Sequence, residues 1–190
     1  MVIGLVGKAG SGKTTIAKYL INEYGFARFA FADPLKHMLI QAGLITYREA
    51  YVHKTETSRA LMQKIGTDLI REQIDGEYWL KRAYPIIHYL AGMRRNVVVD
   101  DIRFPDEAEM IRNVFHGPII LVNREDFDGY SNTDYSHASE QIHPAMFKIN
   151  YTISAKSGDI EKLYSEMDYI LQDNQFPKQM KKEEKVCSTL

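Results

Sequence analysis

The sequence has little from which a disulfide-stabilised or membrane-embedded protein could be built. Its 190 residues contain one cysteine, Cys187, so no disulfide can form within the chain and a reducing compartment is expected. No apolar run approaches the roughly 20 residues that a membrane-spanning helix requires, and the N-terminus lacks the pattern of a signal peptide. These absences predict a cytoplasmic protein without a membrane partner.

An excess of charge of either sign is also missing. The chain carries 24 Lys and Arg residues against 25 Asp and Glu residues, which gives a formal net charge of −1. A dedicated nucleic-acid surface usually requires a basic excess, so no nucleic acid is expected as a partner. What is present is an ordinary share of hydrophobic residues, 45%, which is enough for the core of one domain.

Apolar runs of strand length alternate with segments of helical periodicity. This alternation predicts an α/β fold in which a mostly parallel central sheet is flanked by helices on both faces. The expected strands are 1–6, 29–32, 96–100, 118–123 and 150–154, and the expected helices are 16–24, 34–42, 57–74, 77–90, 105–114 and 160–171. We interpret residues 1–172 as a single domain, residues 125–144 as a polar lid or insertion, and residues 173–190 as a mobile C-terminal tail.

The glycine-rich segment GLVGKAGSGKTT follows the first expected strand and precedes the first expected helix. Gly7 and Gly12-Lys13-Thr14 match the G-x-x-x-x-G-K-[ST] pattern of a P-loop, whose backbone amides wrap phosphates at a helix N-terminus. In such a loop Lys13 reaches the β- and γ-phosphates, and the Thr14 hydroxyl holds Mg²⁺. The pattern predicts a nucleoside triphosphate site that also includes Ala9, Gly10, Ser11 and Gly12.

A P-loop alone leaves GTPases, motor ATPases and small-molecule kinases open. The N-K-x-D motif with which GTPases read their base does not occur in the sequence, and 190 residues are too few for a large ATPase. A small kinase needs a second pocket, for the phosphate acceptor, at the carboxyl ends of the strands.

Two segments supply candidate acceptor residues. Asp33 and Lys36 follow the second expected strand, in A-D-P-L-K. One face of the 57–74 helix carries Arg59, Gln63, Gly66 and Thr67, while Leu61, Ile65 and Leu69 form another face that is expected in the core. A guanidinium and an amide on one side could hold a phosphate and a base edge. An equal alternative to this binding function is that the face is a solvated helix surface, on which Arg59 lies beside Glu56.

The segment V-V-V-D-D-I-R ends a third buried strand. Asp100 resembles the acidic strand end that orients the Mg²⁺ shell in P-loop enzymes, and Asp101 points to the opposite side. Arg103 could clamp a phosphate bidentately. The alternative is a surface ion pair between Arg103 and Glu107, which would contribute little. We favour the functional interpretation because this strand end faces the P-loop.

Taken together, these residues resemble the phage-type deoxynucleoside monophosphate kinases. Five blocks occur in the family's order over most of residues 1–155: GKAGSGKTT, A-D-P-L-K, R-A-L-M-Q-K-I-G-T-D with E-Y-W-L, D-I-R-F-P-D-E and H-A-S-E. The resemblance implies a P-loop fold like that of nucleoside monophosphate kinases and phosphoryl transfer from ATP to a deoxynucleoside monophosphate. It places the protein in the host cytoplasm if a phage encodes it.

The residue pattern and the resemblance together assign roles. Lys13, Asp101 and Arg103 would be catalytic, and Thr15 and Arg124 would contact the ATP phosphates. The monophosphate site would consist of Asp33, Lys36, Arg59, Gln63, Gly66, Thr67, Trp79, Asp101, Arg103 and Glu107, and the metal ligands would be Thr14 and Asp100. The pattern alone favours a core position for Trp79, whereas the resemblance makes it a base-site residue. His137 and Glu140 match H-x-S-E without an assigned role.

Two alternatives to this function stay open. Animal phosphomevalonate kinases share the P-loop, P-L-K and D-x-R blocks, although the G-T-D…W block favours a nucleotide acceptor. A P-loop ATPase or regulatory module without an acceptor would have no use for Arg59, Gln63 and Arg103. The base and the sugar of the acceptor are left open, because only about two dozen residues separate A-D-P-L-K from Arg59. A homodimer is compatible with the sequence.

Overall fold

Five parallel strands form the centre of the computed structural model, which describes residues 1–126, 137–140 and 143–176. They are β1 (Val2–Val6), β2 (Ala27–Phe29), β3 (Val97–Val99), β4 (Ile119–Arg124) and β5 (Tyr151–Ala155). The order across the sheet is β2-β3-β1-β4-β5, and each neighbouring pair is parallel. The predicted α/β fold with a parallel central sheet is therefore confirmed.

Helices connect the strands. They are α1 (Lys13–Tyr24), α2 (Asp33–Gln41), α3 (Tyr47–Tyr51), α4 (Glu56–Gln63), a π-helix (Lys64–Ile74), α5 (Tyr78–Gly92), α6 (Pro105–Phe115) and α7 (Ile160–Asp173), with short 3₁₀ turns at Ala138–Glu140 and Pro144–Met146. Among the described residues, no helix combines the length and the apolar character needed to cross a membrane.

The helices cover both faces of the sheet, which creates two apolar cores. Side chains alternate along a strand, so Ile3 and Leu5 of β1 pack with α1 and α7, while Val2 and Val6 pack with α2, α5 and α6. All five residues of β1 are buried, as expected for a central strand of a covered parallel sheet. This arrangement places the loops that follow β1, β2 and β3 at one edge of the sheet.

The second strand lies earlier in the chain than expected, at Ala27–Phe29 rather than 29–32. The backbone N–H groups of Phe31 and Ala32 donate to the Asp101 carboxylate at 2.8 and 2.9 Å, instead of continuing the strand ladder. The chain then turns into α2 at Asp33. A side chain from the end of β3 thus ends β2, and local periodicity contains no signal for such a contact.

The expected 57–74 helix forms, but its second half is a π-helix. α4 passes into the π-helix at Lys64 without interruption. A π-helix has more residues per turn than an α-helix, so the side chains that follow rotate relative to the α-helical expectation. Leu69, which was expected in the core, is consequently 44% exposed, whereas Ile70 is 8% exposed.

The short helix α3 was not predicted from the sequence. Thr46 Oγ1 accepts from the backbone N–H of Glu49, and the Glu49 carboxylate accepts from the backbone N–H of Thr46. This reciprocal pair is a capping box, and its T-x-x-E pattern in the sequence could have predicted the helix.

The C-terminal helix α7 continues to Asp173. Beyond it, the Phe176 ring lies 5.5 Å from the Phe26 ring and 6.3 Å from the Tyr24 ring, measured between centroids. Residues 177–190 of the expected tail, and residues 127–136 and 141–142 of the expected lid, lie outside the described part of the chain.

Candidate active site

The loop between β1 and α1 depends on two glycines. Gly7 has φ 152° and lies so close to β4 that a Cβ atom would stand 2.3 Å from the Val122 carbonyl oxygen. Gly12, which precedes α1, has φ 107°, a conformation that glycine adopts without steric penalty. These glycines allow the loop to present the N-terminus of α1, which favours an anion.

The Lys13 ammonium group lies against this loop. Its Nζ donates to the Gly7 carbonyl at 2.6 Å and to the Lys8 carbonyl at 2.8 Å, and the residue is 9% exposed. A cation is therefore held at the N-terminus of α1, where the P-loop motif requires one.

A cavity of about 380 Å³ opens beside the P-loop, where the chain leaves β1, β2 and β3. Its walls are the P-loop, the first turn of α2, one face of α4 and the π-helix, and the segment after β3. The predicted site residues that line it are Ala9, Gly10, Lys13, Thr14, Lys36, Arg59, Gln63, Gly66, Thr67, Trp79, Asp100, Asp101, Arg103 and Glu107.

The other predicted residues do not line this cavity; they are Ser11, Gly12, Thr15, Asp33 and Arg124. Asp33 accepts from Lys36 Nζ at 2.9 Å and from Arg28 Nη1 at 2.8 Å, so it binds two cations of the cavity wall. Burial alone would raise the pKa of Asp33, but Lys36 and Arg28 outweigh burial and lower it. The geometry thus supports a positioning role for Asp33 behind Lys36.

Arg124, at the end of β4, joins the P-loop to the segment after β5. Its Nη1 donates to the Gly10 carbonyl at 3.3 Å, its Nη2 bonds to Ser157 Oγ, and its Nε lies 3.5 Å from Asp126 Oδ1. Arg124 and Ser11 line a smaller pocket of about 100 Å³ on the β4 side of the P-loop. The guanidinium is therefore next to the P-loop backbone, and its contact with ATP remains a prediction.

The predicted face of the 57–74 helix is part of the cavity wall rather than a solvated surface. Gly66 and Thr67 are buried, and Arg59 and Gln63 are partly buried. Gln63 Nε2 is buried and has no hydrogen-bond partner among the described residues. An unpaired buried donor costs free energy, so a ligand that accepts from this amide would be favoured here.

Trp79 connects α5 to the π-helix. Its indole Nε1 donates to the Gly66 carbonyl at 2.8 Å, and the residue is 7% exposed. Trp79 belongs to the apolar core and also lines the cavity. The core position favoured by the sequence pattern is therefore compatible with a place in the binding site.

Replacing Trp79 with phenylalanine should lower the free energy of unfolding by about 1–3 kcal/mol, because the buried Gly66 carbonyl loses its donor. Urea unfolding of the full chain measures this effect. Tyr78→Phe on the neighbouring residue is the matched control, since no hydrogen bond of the Tyr78 hydroxyl is seen among the described residues, and we expect a change below about 0.5 kcal/mol. Equal losses in the two variants would contradict a special role of the indole N–H.

Asp100 and Thr14, the predicted metal ligands, line the same cavity. Asp100 Oδ2 accepts from Arg28 Nε at 2.9 Å, while Asp100 Oδ1 is buried without a hydrogen-bond partner among the described residues. Carboxylate and hydroxyl oxygens are suitable Mg²⁺ ligands. The unpaired Oδ1 and the Thr14 hydroxyl therefore fit a Mg²⁺ ion that is bound largely through phosphates and water.

Asp101 lines the same cavity as Asp100 and anchors the segment after β2. Its two oxygens accept from the backbone N–H groups of Phe31 and Ala32. Burial and the neighbouring Asp100 raise the pKa of Asp101 above its ordinary value, against the effect of these hydrogen bonds. Because a carboxylate has about four acceptor positions, Asp101 could still accept from a ligand in the cavity.

Glu107 shapes the backbone that carries Arg103. Its Oε2 accepts from the N–H groups of Arg103 and Phe104 at 2.7 and 3.1 Å. The Arg103 guanidinium instead donates from Nη1 to the Ser139 carbonyl at 2.9 Å. Glu107 is only 2% exposed and contacts the Arg103 backbone from inside the fold. The alternative of a surface ion pair with Arg103 therefore does not describe Glu107.

Burial raises the pKa of Glu107 to about 8 from an ordinary value of 4.5, although Arg71 and two backbone N–H groups act in the opposite direction. A carboxyl group whose pKa is raised by folding stabilises the fold most at low pH. That contribution is lost as the pH rises from about 4.5 to about 8.

Glu107→Gln should remove this pH dependence, because glutamine stays neutral and can still accept from the two N–H groups. As the pH rises from 5 to 8, the free energy of unfolding of the wild type should fall by about 1 kcal/mol or more relative to that of Glu107→Gln. The variant is therefore favoured at high pH. Urea unfolding across this range measures the difference. Glu109→Gln, on the exposed face of α6, is the control, and its free energy of unfolding should depend on pH as that of the wild type does. The same pH dependence in Glu107→Gln and the wild type would contradict the prediction.

The H-A-S-E segment lies against the cavity. His137 Nδ1 accepts from the backbone N–H of Ser139 at 3.2 Å, and His137 Nε2 lies 3.0 Å from Asp68 Oδ1 on the π-helix. This pattern fits a neutral ring that donates from Nε2 to Asp68. Because the Ser139 carbonyl accepts from Arg103, the segment links the π-helix to a predicted catalytic residue.

Some cavity residues escaped the sequence-based prediction, among them Arg28, Lys54 and Ser139. Arg28 could have been noticed as the charged residue within the apolar run FARFAFA. Ser139 could have been noticed as the serine of the H-A-S-E block, whereas Lys54 lies in a connecting segment without a motif, so only the tertiary fold brings Lys54 to the cavity.

The parallel sheet, the P-loop and the adjacent basic cavity define a P-loop kinase-like protein. Solved structures of the same fold include dephospho-CoA kinase from Campylobacter jejuni, with a TM-score of 0.56 and 12% identity over 92% of this chain and 97% of that chain. TT1252 from Thermus thermophilus has a TM-score of 0.53 and 18% identity over 91% and 97% of the two chains. These likenesses establish the fold.

The sequence defines the family more closely. The sequence model of deoxynucleotide monophosphate kinases matches residues 45–167. A candidate deoxynucleotide monophosphate kinase of Acanthamoeba polyphaga mimivirus is 31% identical to this chain over an alignment of 193 residues. The alignment covers 88% of this chain and 94% of the viral protein. The chain belongs to the deoxynucleotide monophosphate kinase family. The resemblance identified from the motifs is confirmed, and membership of this family supports nucleotide kinase activity.

Proposed function

We propose that the protein transfers the γ-phosphoryl group of ATP to a deoxynucleoside monophosphate, giving ADP and the deoxynucleoside diphosphate. The observation that carries this proposal is the continuity of the P-loop with a second binding region. Lys13 and Thr14 line the same cavity as Arg59 and Arg103. A donor phosphate on the P-loop and an acceptor phosphate on the two arginines would therefore share one cavity.

The charge of the cavity supports phosphate ligands. Its basic residues are Lys13, Arg28, Lys36, Lys54, Arg59 and Arg103, and its acidic residues are Asp100, Asp101 and Glu107. Asp100 pairs with Arg28, and the raised pKa of Glu107, about 8, keeps much of this side chain neutral near pH 7. The resulting positive excess favours a ligand with several negative charges.

In this proposal the chain acts by positioning and charge neutralisation, without a covalent intermediate. The P-loop amides and Lys13 hold the donor phosphates, and Asp100 and Thr14 would hold Mg²⁺, which neutralises charge on the β- and γ-phosphates when bound. Arg59 and Arg103 hold the acceptor phosphate. Gln63, which lines the same cavity as Trp79, offers its unpaired amide to the base.

A coupled assay of ADP release tests the proposal. The full chain is supplied with Mg·ATP and, in separate reactions, with each common dNMP, each common NMP, mevalonate 5-phosphate, or no acceptor. We expect release of ADP to depend on a dNMP. Equal release without an acceptor would indicate an ATPase, and release that depends on mevalonate 5-phosphate alone would indicate the other small kinase; either result would contradict the proposal.

A further inference from the structure

Lys54 is a cavity residue to which neither the motifs nor the family resemblance assigned a role. It lies in the connection between α3 and α4 and lines the cavity together with Lys36, Arg59 and Arg103. These four basic residues come from four different segments: α2, the α3–α4 connection, α4 and the segment after β3. The fold therefore gathers positive charge at a place where the sequence shows no cluster.

The four cations differ in what they contact. Lys36 Nζ is paired with Asp33 at 2.9 Å, and Arg103 Nη1 donates to the Ser139 carbonyl. For the Lys54 ammonium, no hydrogen bond or ion pair is found within residues 1–126, 137–140 and 143–176. The Asp101 charge acts favourably on it, but the two Asp101 oxygens already accept backbone N–H groups. Lys54 thus lacks a counter-charge in the described protein.

We propose that Lys54 is a further acceptor-binding residue, whose ammonium group takes a phosphate of the bound nucleotide as its counter-ion. The inference rests on the proposed function and deepens it. Lys36, Arg59 and Arg103 would orient the phosphate from the helices and the strand end. Lys54 would contact it from the α3–α4 connection.

The electrostatics of the cavity agree with this role. Burial, followed by repulsion from Lys36, Arg103 and Arg59, lowers the pKa of Lys54 to about 8. Lys54 nevertheless retains an exposed surface, so water screens part of this repulsion. A bound dianion would favour the charged form and raise the pKa again. Near pH 8, acceptor binding should therefore be accompanied by uptake of up to about half a proton per ligand.

Two other groups could take up a proton, and the test must separate them from Lys54. Glu107 lines the same cavity, and its pKa is also raised to about 8. The nucleotide phosphate itself has its second pKa near 6 and is a dianion at pH 8. The remaining charged side chains of the cavity are Lys13, Arg28, Lys36, Arg59, Arg103, Asp100 and Asp101.

The experiment is calorimetric titration of the full chain at pH 8 with dAMP, dCMP, dGMP and dTMP, in buffers with different enthalpies of ionisation. The dependence of the binding enthalpy on the buffer gives the number of protons taken up. The wild type should take up protons with the dNMP that binds most tightly. Lys54→Met should bind it at least about tenfold more weakly and take up fewer protons. Lys54→Arg should retain most of the affinity but take up fewer protons than the wild type, by up to about half a proton per ligand, because arginine stays protonated.

Lys64→Met, at an exposed position outside the cavity, is the matched control and should behave as the wild type. If Lys54→Arg takes up as many protons as the wild type, the uptake arises from Glu107 or another group, and the inference is overturned. Unchanged affinity in Lys54→Met overturns it as well, while dNMP binding itself leaves the proposed function standing. If no dNMP binds to the wild type, the proposed function fails and the inference fails with it.

Discussion

Lys13→Ala should reduce the turnover by about 100-fold or more, because the variant loses the cation that offsets charge on the transferred phosphoryl group. Lys13 is the P-loop lysine, and its ammonium already lies at the loop, bonded to the Gly7 and Lys8 carbonyls. The fold should remain, since these two bonds hold only the loop itself. The coupled ADP assay gives the turnover, and circular dichroism with thermal unfolding checks the fold.

Lys18→Ala is the matched control for this variant, because Lys18 lies on the exposed face of the same helix α1. It should keep the wild-type turnover. A Lys13→Ala protein that is folded and as active as Lys18→Ala would remove the assignment of the loop as the donor site.

Arg59→Ala and Arg103→Ala should each lower kcat/KM for the dNMP by about 30- to 1,000-fold, while the affinity for ATP changes little. The two guanidinium groups come from α4 and from the segment after β3 and line one cavity. A monophosphate is a dianion near neutral pH, and loss of one arginine leaves its charge partly unpaired, at a cost of about 2–4 kcal/mol. Lysine at either position should recover only part of the loss, because an ammonium cannot make two parallel hydrogen bonds.

Acceptor kinetics come from the coupled assay, and the affinity for ATP comes from calorimetry. Arg82→Ala, on the exposed surface of α5 and outside the cavity, should leave both quantities unchanged. An equal loss of ATP affinity in Arg59→Ala or Arg103→Ala would assign these arginines to the donor site. If neither acceptor kinetics nor the affinity for ATP changes, the two arginines have no function in the reaction.

The sequence was most informative where function depends on consecutive residues. The spacing of Gly7, Gly12 and Lys13 describes a local backbone conformation, so the P-loop could be predicted without tertiary information. The parallel sheet followed from alternating strands and helices. The sequence predicts the extent of the 57–74 helix but not its geometry, because no sequence pattern indicates that the second half is a π-helix. The prediction that Leu69 lies in the core is wrong for this reason.

The residues that the sequence missed reach the cavity through contacts between distant segments. Arg28 is brought to Asp100 across 72 positions of the chain, and Asp101 ends β2 through backbone hydrogen bonds that no local pattern predicts. Lys54 lines the same cavity as Arg103, although 49 positions of the chain separate them. Such residues can be assigned to the cavity only from the packing of the helices on the sheet, and not from the secondary structure alone.

The central claim is that one cavity brings an ATP phosphate and an acceptor phosphate together for direct transfer. The most direct measurement uses ATP labelled with ³²P in the γ-position, incubated with Mg²⁺, the full chain and each dNMP, followed by chromatographic separation of the products. The account predicts that the label appears in the β-phosphate of a deoxynucleoside diphosphate. Label that is found only in inorganic phosphate, with every dNMP unchanged, would contradict it.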